Sequence, residues 1–112
     1  MTERVVITGL GIVAPNGNGL EAYEAALRAG RSGIRFIPIL EELKFGCHVA
    51  GVPQGTEAIA EEYFSAEARM AMNSDMTFAC IAGLDCWKDA GFEVPAEGTG
   101  DVDWDTGAIV GT

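Results

Sequence analysis

The sequence predicts an α/β protein with a mainly parallel sheet, on the evidence of two apolar runs and two intervening helical patterns. Residues 5–15 (VVITGLGIVAP) and 108–112 (AIVGT) are short apolar runs without polar alternation, which is typical of strands buried on both faces of a parallel sheet. Helical patterns at residues 20–29 and 65–90 lie between the predicted strands. Helices between parallel strands imply right-handed crossovers and a layered sheet.

The first strand is followed by a turn and then by a helix. Residues 15–19 (PNGNG) are turn formers, so the helix is expected to start only after them. Residues 20–29 carry Glu21 and Glu24 in the first turns, where the helix dipole favours acids, and Gly30 supplies a stop signal.

The middle of the chain is less regular. Residues 34–38 form a short extended piece that ends at a proline, and residues 39–45 have no clear pattern. Small and β-branched residues over 45–52 predict the second strand of the sheet, and residues 57–63 predict a short acidic helix.

The longest predicted helix begins after Ser65, a suitable N-cap, and runs to Ala90 before Gly91. Met70, Met72 and Met76 recur in it at helical spacing, which favours a role as core filler over a soft-metal site. The acidic segment 92–106 that follows is expected to be a surface loop.

Composition excludes several classes of function. A net charge of -10 without a basic stripe argues against a nucleic-acid surface. No stretch is long and apolar enough to span a bilayer, and residues 1–15 lack the pattern of a signal peptide. We therefore expect no membrane partner and a cytoplasmic location. The hydrophobic fraction of 48% is sufficient for a core.

The cysteines are expected to be free and structural. The chain has three cysteines, an odd number, and their spacing does not repeat. They are Cys47, Cys80 and Cys86, and all three have apolar neighbours in the sequence. Cys47 and His48 are adjacent, but neighbouring residues in a strand point to opposite faces and form no catalytic dyad. The chain has one histidine, and a structural role is expected for it.

Two segments have the residue spacing of known ligand-binding motifs but lack the structural context that those motifs require. Gly9-x-Gly11-x-x-Ala14 has the spacing of a dinucleotide fingerprint, but Pro15 prevents the helix that would hold the pyrophosphate, and no acidic residue ends a second strand at the ribose position. The glycines are instead expected to allow another part of the backbone to pack closely. No nicotinamide cofactor is expected.

The predicted acidic loop has aspartates at the spacing of the first three ligands of a calcium-binding loop. Asp101, Asp103 and Asp105 alternate as calcium ligands do, but Thr106 replaces the required glycine and Thr112 replaces the bidentate glutamate. A solvated acidic loop is the better interpretation, and no metal site is predicted.

Residues 5–17 resemble the opening of the β-ketoacyl-[acyl carrier protein] synthases, members of the condensing-enzyme family. Further pieces agree with this family in the same order, so the resemblance covers essentially the whole chain. These pieces are residues 29–34 (AGRSGI), Met72-Asn73, residues 89–91 (DAG) and residues 107–112 (GAIVGT).

The resemblance implies a thiolase-like fold with two similar α/β halves. Residues 1–112 would be the N-terminal part of the first βαβαβ half, incomplete without a C-terminal partner chain, and a chain ending on a buried strand is unusual for a complete domain. The family's catalytic cysteine and two histidines lie beyond the third strand, so no catalytic residue is assigned here, and the three cysteines match structural positions. Gly111 and Thr112 align with the start of a loop that leads to the acyl pocket, which implies a substrate-binding role.

The implied activity is that of an acyltransferase. It is the decarboxylative Claisen condensation of an acyl thioester with malonyl-acyl carrier protein, in fatty-acid or polyketide synthesis. The resemblance implies no metal or other cofactor, because the substrates are carried on phosphopantetheine. It implies as partners the acyl carrier protein, the remainder of the synthase as a separate chain, and a homodimer or heterodimer of the complete subunit.

One departure keeps other functions open. Met72-Asn73-Ser74 stands where the family commonly has Met-Asp-Arg, which removes two charges and favours a divergent polyketide-type member. The alternative is a non-catalytic partner subunit resembling a chain-length factor. A free-standing binding domain is a third interpretation, but the isolated residues are expected to aggregate or be molten, because the third strand would expose an apolar edge.

Overall fold

The computed structural model describes residues 3–96 and 103–111. Five helices and two antiparallel strand pairs occur in this part of the chain, with β1 paired to β2 and β3 paired to β4. In chain order the elements are β1 Val13–Ala14, β2 Gly17–Asn18, α1 Leu20–Arg28, β3 Ile34–Phe36, α2 Pro38–Glu42, β4 Val49–Gly51, α3 Thr56–Tyr63, α4 Ala66–Ala71 and α5 Ser74–Asp89.

Helix α5 is the longest helix in the described residues and packs against two other elements. It contacts α3 on one side and β1 on another. Its Ile81 is fully buried, and Ala60 of α3 and Ala26 of α1 are the other buried apolar residues among those described. The core of the described residues is therefore small, since most of their large apolar side chains remain partly accessible.

The segment before β1 lies directly against α5. Added Cβ atoms at Gly9 and Gly11 would collide with the α5 backbone, at the carbonyl groups of Cys86 and Ala82 respectively. The Leu10 amide donates to Asp89 Oδ2 at 2.9 Å, and the Cys86 thiol donates to the Gly9 carbonyl at 3.3 Å. The expectation that these glycines permit close backbone packing is confirmed.

The first predicted strand is much shorter in the structure. Only Val13–Ala14 is a strand, and its pairing with Gly17–Asn18 is antiparallel. Val5 and Ile7 are 97% and 84% exposed. The apolar run over 5–12 has no strand partner in the described part of the chain, because its backbone meets a helix, so the predicted continuous strand and parallel pairing are not observed.

The other predicted sheet strands also differ. The second strand is Val49–Gly51, and it pairs antiparallel with β3, with Arg35 opposite Ala50. The connection holds only the short α2, and the Ile37 amide donates to the His48 carbonyl at 2.8 Å, which continues the antiparallel ladder of this hairpin by one bond. The predicted third strand has no assigned strand over 108–111, and Thr112 lies outside the described residues.

The helices agree better with expectation. Helix α1 ends before Gly30, which has a left-handed φ of 63°, and α3 closely matches the predicted acidic helix. Ser65 caps a helix as predicted, because its hydroxyl accepts from the Ala68 amide at 3.2 Å. That helix, however, ends at Ala71 and does not continue to Ala90.

Asn73 is the reason for the break between α4 and α5. Its backbone is extended (φ -88°, ψ 177°), and its Oδ1 accepts from the Met76 amide at 2.8 Å. An asparagine side chain satisfies an otherwise free amide at a helix start, so a second helix begins there. The prediction that the methionines fill the core is wrong for Met70 and Met76, which are 89% and 49% exposed.

The acidic loop is irregular where it is described. Residues 92–96 and 103–111 contain no helix or strand, and residues 97–102 lie outside the described part. No helix in the described residues is long and apolar enough to cross a membrane.

Gly11 and Gly83 provide opposite tests of the packing on α5. Gly11→Ala forces a methyl group into the Ala82 carbonyl and should destabilise the chain by about 1–3 kcal/mol, the usual cost of overpacking. Gly83→Ala, in open space on the exposed side of the same helix, should stabilise it by about 0.5–1 kcal/mol. Urea unfolding of the complete synthase that contains residues 1–112, followed by tryptophan fluorescence, measures both, and equal stability of the two variants would contradict the packing.

Candidate functional site

The N-terminal half of α5 and the end of the described chain form an open groove of about 580 Å³. We call it the Gly111 groove, and its surface is mainly apolar. Its lining residues are Asn73, Asp75, Met76, Phe78, Ala79, Cys80, Val110 and Gly111. Gly111, one of the two residues predicted to bind substrate, is therefore beside α5, and the role of both Gly111 and Thr112 stays a prediction.

Few polar side chains line the Gly111 groove. Asn73 Oδ1 is engaged as the cap of α5, and the exposed Asp75 lies in the first turn. Cys80 is a free, exposed thiol. The chain's histidine is elsewhere: His48 Nε2 lies 2.7 Å from the Phe45 carbonyl oxygen, and its ring packs edge-on against Phe36. The described residues thus bring no imidazole to the thiol, which agrees with a structural role for His48.

A second groove, of about 340 Å³, lies between α3, the end of β4 and another face of α5. We call it the Thr56 groove, after the buried threonine in its wall. The remaining lining residues are Val52, Pro53, Glu57, Ala60, Arg69, Ser74, Thr77 and Phe78. Arg69 also forms an ion pair with Glu61 at 3.2 Å. Phe78 lines both grooves. The sequence analysis did not identify Phe78 as a candidate site residue.

A titratable cluster joins α3 to α5. The Tyr63 hydroxyl donates to Asp85 Oδ1 at 2.6 Å, and Lys88 Nζ lies 3.7 Å from the centre of the Tyr63 ring. The hydrogen bond to the Asp85 carboxylate raises the pKa of Tyr63, and Lys88 partly opposes this shift. The arrangement holds two helices together, and it lies away from both grooves.

The acidic loop satisfies its own polar groups. Asp103 accepts hydrogen bonds from the Thr106 hydroxyl at 2.5 Å and from the Asp105 amide at 2.9 Å. These bonds, the one from Thr106 first, lower the pKa of Asp103. Asp101 lies outside the described residues. The described residues contain no group of three or more histidine, cysteine, aspartate or glutamate side chains placed to hold a metal ion.

The fold elements and the groove beside Gly111 belong to a chain whose sequence matches one family along nearly its whole length. Residues 2–112 match the family model described as "Beta-ketoacyl synthase, N-terminal domain". The chain belongs to the β-ketoacyl synthase family, and this membership implies a thiolase-like fold. The resemblance found in the sequence is thereby confirmed.

Relatives come from both fatty-acid and polyketide synthesis. The chain is 35% identical over 95 residues to 3-oxoacyl-[acyl-carrier-protein] synthase 2 of Vibrio cholerae, with 85% of this chain and 22% of the relative covered. It is 48% identical over 95 residues to the tetracenomycin polyketide synthase ketoacyl synthase beta subunit of Streptomyces glaucescens, covering 80% and 21%. The chain thus spans about a fifth of the length of these relatives.

Tyr63 should have a distinctive pH response. Its pKa is raised above the ordinary value of about 10, so the stabilisation from its bond to Asp85 is present below about pH 10 and is lost as pH rises through the folded-state pKa. Difference titrations of tyrosinate absorbance between the complete synthase that contains residues 1–112 and its Tyr63→Phe variant isolate this group. Asp85→Asn should lower its pKa towards the ordinary value, and an unchanged titration in that variant would contradict the assigned cause.

Asn73 can be tested as the cap of α5. Asn73→Ala removes the acceptor for the Met76 amide and should cost about 1 kcal/mol of stability. Asn73→Asp is the matched control, because a carboxylate keeps the acceptor and is favoured at a helix N-terminus by about 0.3–1 kcal/mol. Urea unfolding of both variants of the complete synthase that contains residues 1–112 provides the measurement. Equal losses in Ala and Asp variants would show that the side chain does not act as a cap.

Proposed function

We propose that the chain is the N-terminal part of a β-ketoacyl-acyl carrier protein synthase, an acyltransferase. The observation that carries the proposal is the family match over residues 2–112. The complete enzyme would condense an acyl thioester with malonyl-acyl carrier protein, in fatty-acid or polyketide synthesis. Relatives named as 3-oxoacyl-[acyl-carrier-protein] synthases and as polyketide synthase subunits support this reaction class.

In this proposal residues 1–112 are one piece of a thiolase-like domain, and a further polypeptide supplies the rest. Strands of that polypeptide would complete a mainly parallel sheet. The support is physical: Val5, Ile7 and Ile109 are almost fully exposed, and apolar side chains of this kind need a partner surface. The complete subunit would act as a homodimer or heterodimer in the cytoplasm, with acyl carrier protein as its partner.

The proposed chemistry uses a cysteine of the remaining polypeptide. Its sulfur would accept the acyl group and release the first thiol; malonyl thioester would lose carbon dioxide, and the resulting carbanion would attack the acyl carbonyl and expel the cysteine thiolate. Two histidines, a helix dipole and an oxyanion hole would stabilise the developing charges. Residues 1–112 supply no catalytic group, and no metal or other cofactor takes part, because phosphopantetheine carries the substrates.

The role proposed for this chain is binding. Gly111 and Thr112 would begin the loop that leads to the acyl pocket. The Gly111 groove supports this role because its mainly apolar surface suits an alkyl chain.

A second candidate function is a non-catalytic partner subunit of a ketosynthase heterodimer. The observation that favours it is the 48% identity to a relative named as a beta subunit, compared with 35% for the Vibrio cholerae synthase. Such a subunit would shape the acyl tunnel without a nucleophile. The replacement of Met-Asp-Arg by Met72-Asn73-Ser74 is consistent with a polyketide-type origin.

The two candidates differ in acyl transfer. The chain together with the remaining polypeptide should form a thioester on one cysteine when given an acyl thioester, and should convert malonyl-acyl carrier protein to a 3-oxoacyl product with release of carbon dioxide. Intact-mass analysis detects the acyl-enzyme, and the isolated 112 residues are the negative control. Absence of any acyl-cysteine would favour the beta subunit, whereas a stable complete domain formed by the 112 residues alone would contradict both candidates.

A further inference from the structure

The start of helix α3 borders the Thr56 groove. Thr56 is the first residue of this eight-residue helix, and both Thr56 and Glu57 line the groove. The preceding residue, Gly55, has a left-handed φ of 72°, and no side chain caps the helix. The first amides of a helix have no intrahelical acceptor and carry the positive end of the helix dipole. This border of the groove therefore favours an anion.

Thr56 adds a hydroxyl group that has no partner. The residue is only 4% exposed, and no hydrogen bond of its side chain occurs among the described residues. Its oxygen is not sealed from solvent in the way that the unpaired Asn18 Oδ1 is, so it is reached through the groove that Thr56 lines. A largely buried hydroxyl group without a partner is costly, and a ligand atom that accepts from it removes this cost.

Two further helices bring polar groups to the same groove. Arg69 of α4 lines it, and its guanidinium makes a single contact of 3.2 Å with the exposed Glu61. An exposed pair of this kind is weak and leaves several guanidinium donors free for a ligand. Ser74, the first residue of α5, also lines the groove. Glu57 is the acidic side chain in the described wall, and it is exposed.

The rest of the wall is apolar. It consists of Val52, Pro53, Ala60 and Phe78, together with Thr77, whose hydroxyl already donates to the Asn73 carbonyl at 2.9 Å. The groove has a volume of about 340 Å³. Its shape and surface suit a small ligand that is apolar along its body and carries an anionic group at one end.

We propose that the Thr56 groove binds a small acid, meaning a molecule with one carboxylate or phosphate group on an apolar body. The oxyanion accepts hydrogen bonds from the first amides of α3, from the Thr56 hydroxyl and from Arg69, and the apolar body contacts Val52 and Phe78. Because Thr56, Arg69 and Ser74 belong to α3, α4 and α5, the bound acid joins three helices. The inference goes beyond the proposed condensation reaction and does not depend on it.

The experiment uses the complete synthase that contains residues 1–112, titrated by calorimetry with benzoate and with phenyl phosphate. Benzamide is the matched neutral ligand, because it has the size and ring of benzoate without the charge. Both acids should bind, and benzamide should bind at least about tenfold more weakly, since hydrogen bonds to charged groups are the stronger ones. The affinity for the acids should fall as salt screens the charges.

Variants of the groove assign the binding to its residues. Thr56→Val removes the hydroxyl at nearly constant shape and should weaken benzoate binding by about tenfold, whereas Thr56→Ser should retain it. Arg69→Gln should also weaken binding by about tenfold. Glu57→Gln removes a like charge and should tighten binding by about twofold or more. Glu62→Gln is the matched control, because it removes the same charge from α3 outside the Thr56 groove and should change nothing.

Hydrogen exchange gives a second measurement. Benzoate should slow the exchange of α4 amides, because Arg69 then links α4 to the ligand. Equal affinity for benzamide and benzoate would overturn the inference, and so would unchanged affinity in both Thr56→Val and Arg69→Gln. A folded synthase that binds neither acid would overturn it as well, including the case in which another segment of the synthase covers the groove.

Discussion

The contact between the Gly9–Gly11 backbone and α5 is the constraint on which the other parts of the structure depend. A helix and an extended segment come this close only where side chains are absent, and both glycines lie where a Cβ atom would enter the α5 backbone. The bond from the Leu10 amide to Asp89 then fixes the segment along the helix axis. Because β1 follows directly, its hairpin and α1 are placed by the same contact.

Helix ends could be predicted from the sequence better than strands could, although the one helix predicted over 65–90 is two helices in the structure. Helix limits follow from neighbouring residues, such as the left-handed Gly30 after α1 or the Ser65 cap of α4. A strand depends on a partner that the local sequence does not contain. The run over 5–12 is apolar enough for a buried strand, but in the structure Val5 and Ile7 are exposed, and among the described residues the backbone at Gly9 and Gly11 meets α5 where the prediction has a strand.

The break between α4 and α5 has a local cause, the cap formed by Asn73, but the helical periodicity of the apolar residues continues across it. Apolar residues recur across it at helical spacing, so the pattern predicted one helix, whereas the asparagine side chain competes for the Met76 amide and starts a new one. The consequence reaches the candidate site, because Asn73 and Asp75 line the groove that opens at the start of α5. Gly111 was identified through the family resemblance, but its position beside this helix start required the structure.

The position of Phe78 on α5 also could not be predicted from the sequence. A stretch of α5 that is apolar all round indicates that several faces are covered, but it does not say which elements cover them. In the structure Ser74 and Thr77 face the Thr56 groove, and Asp75 and Ala79 face the Gly111 groove. The fully buried Ile81 anchors the helix, so the residues one turn earlier are held rigidly while remaining accessible. The walls that α5 gives to both grooves therefore follow from how this helix is packed, which the local sequence does not specify.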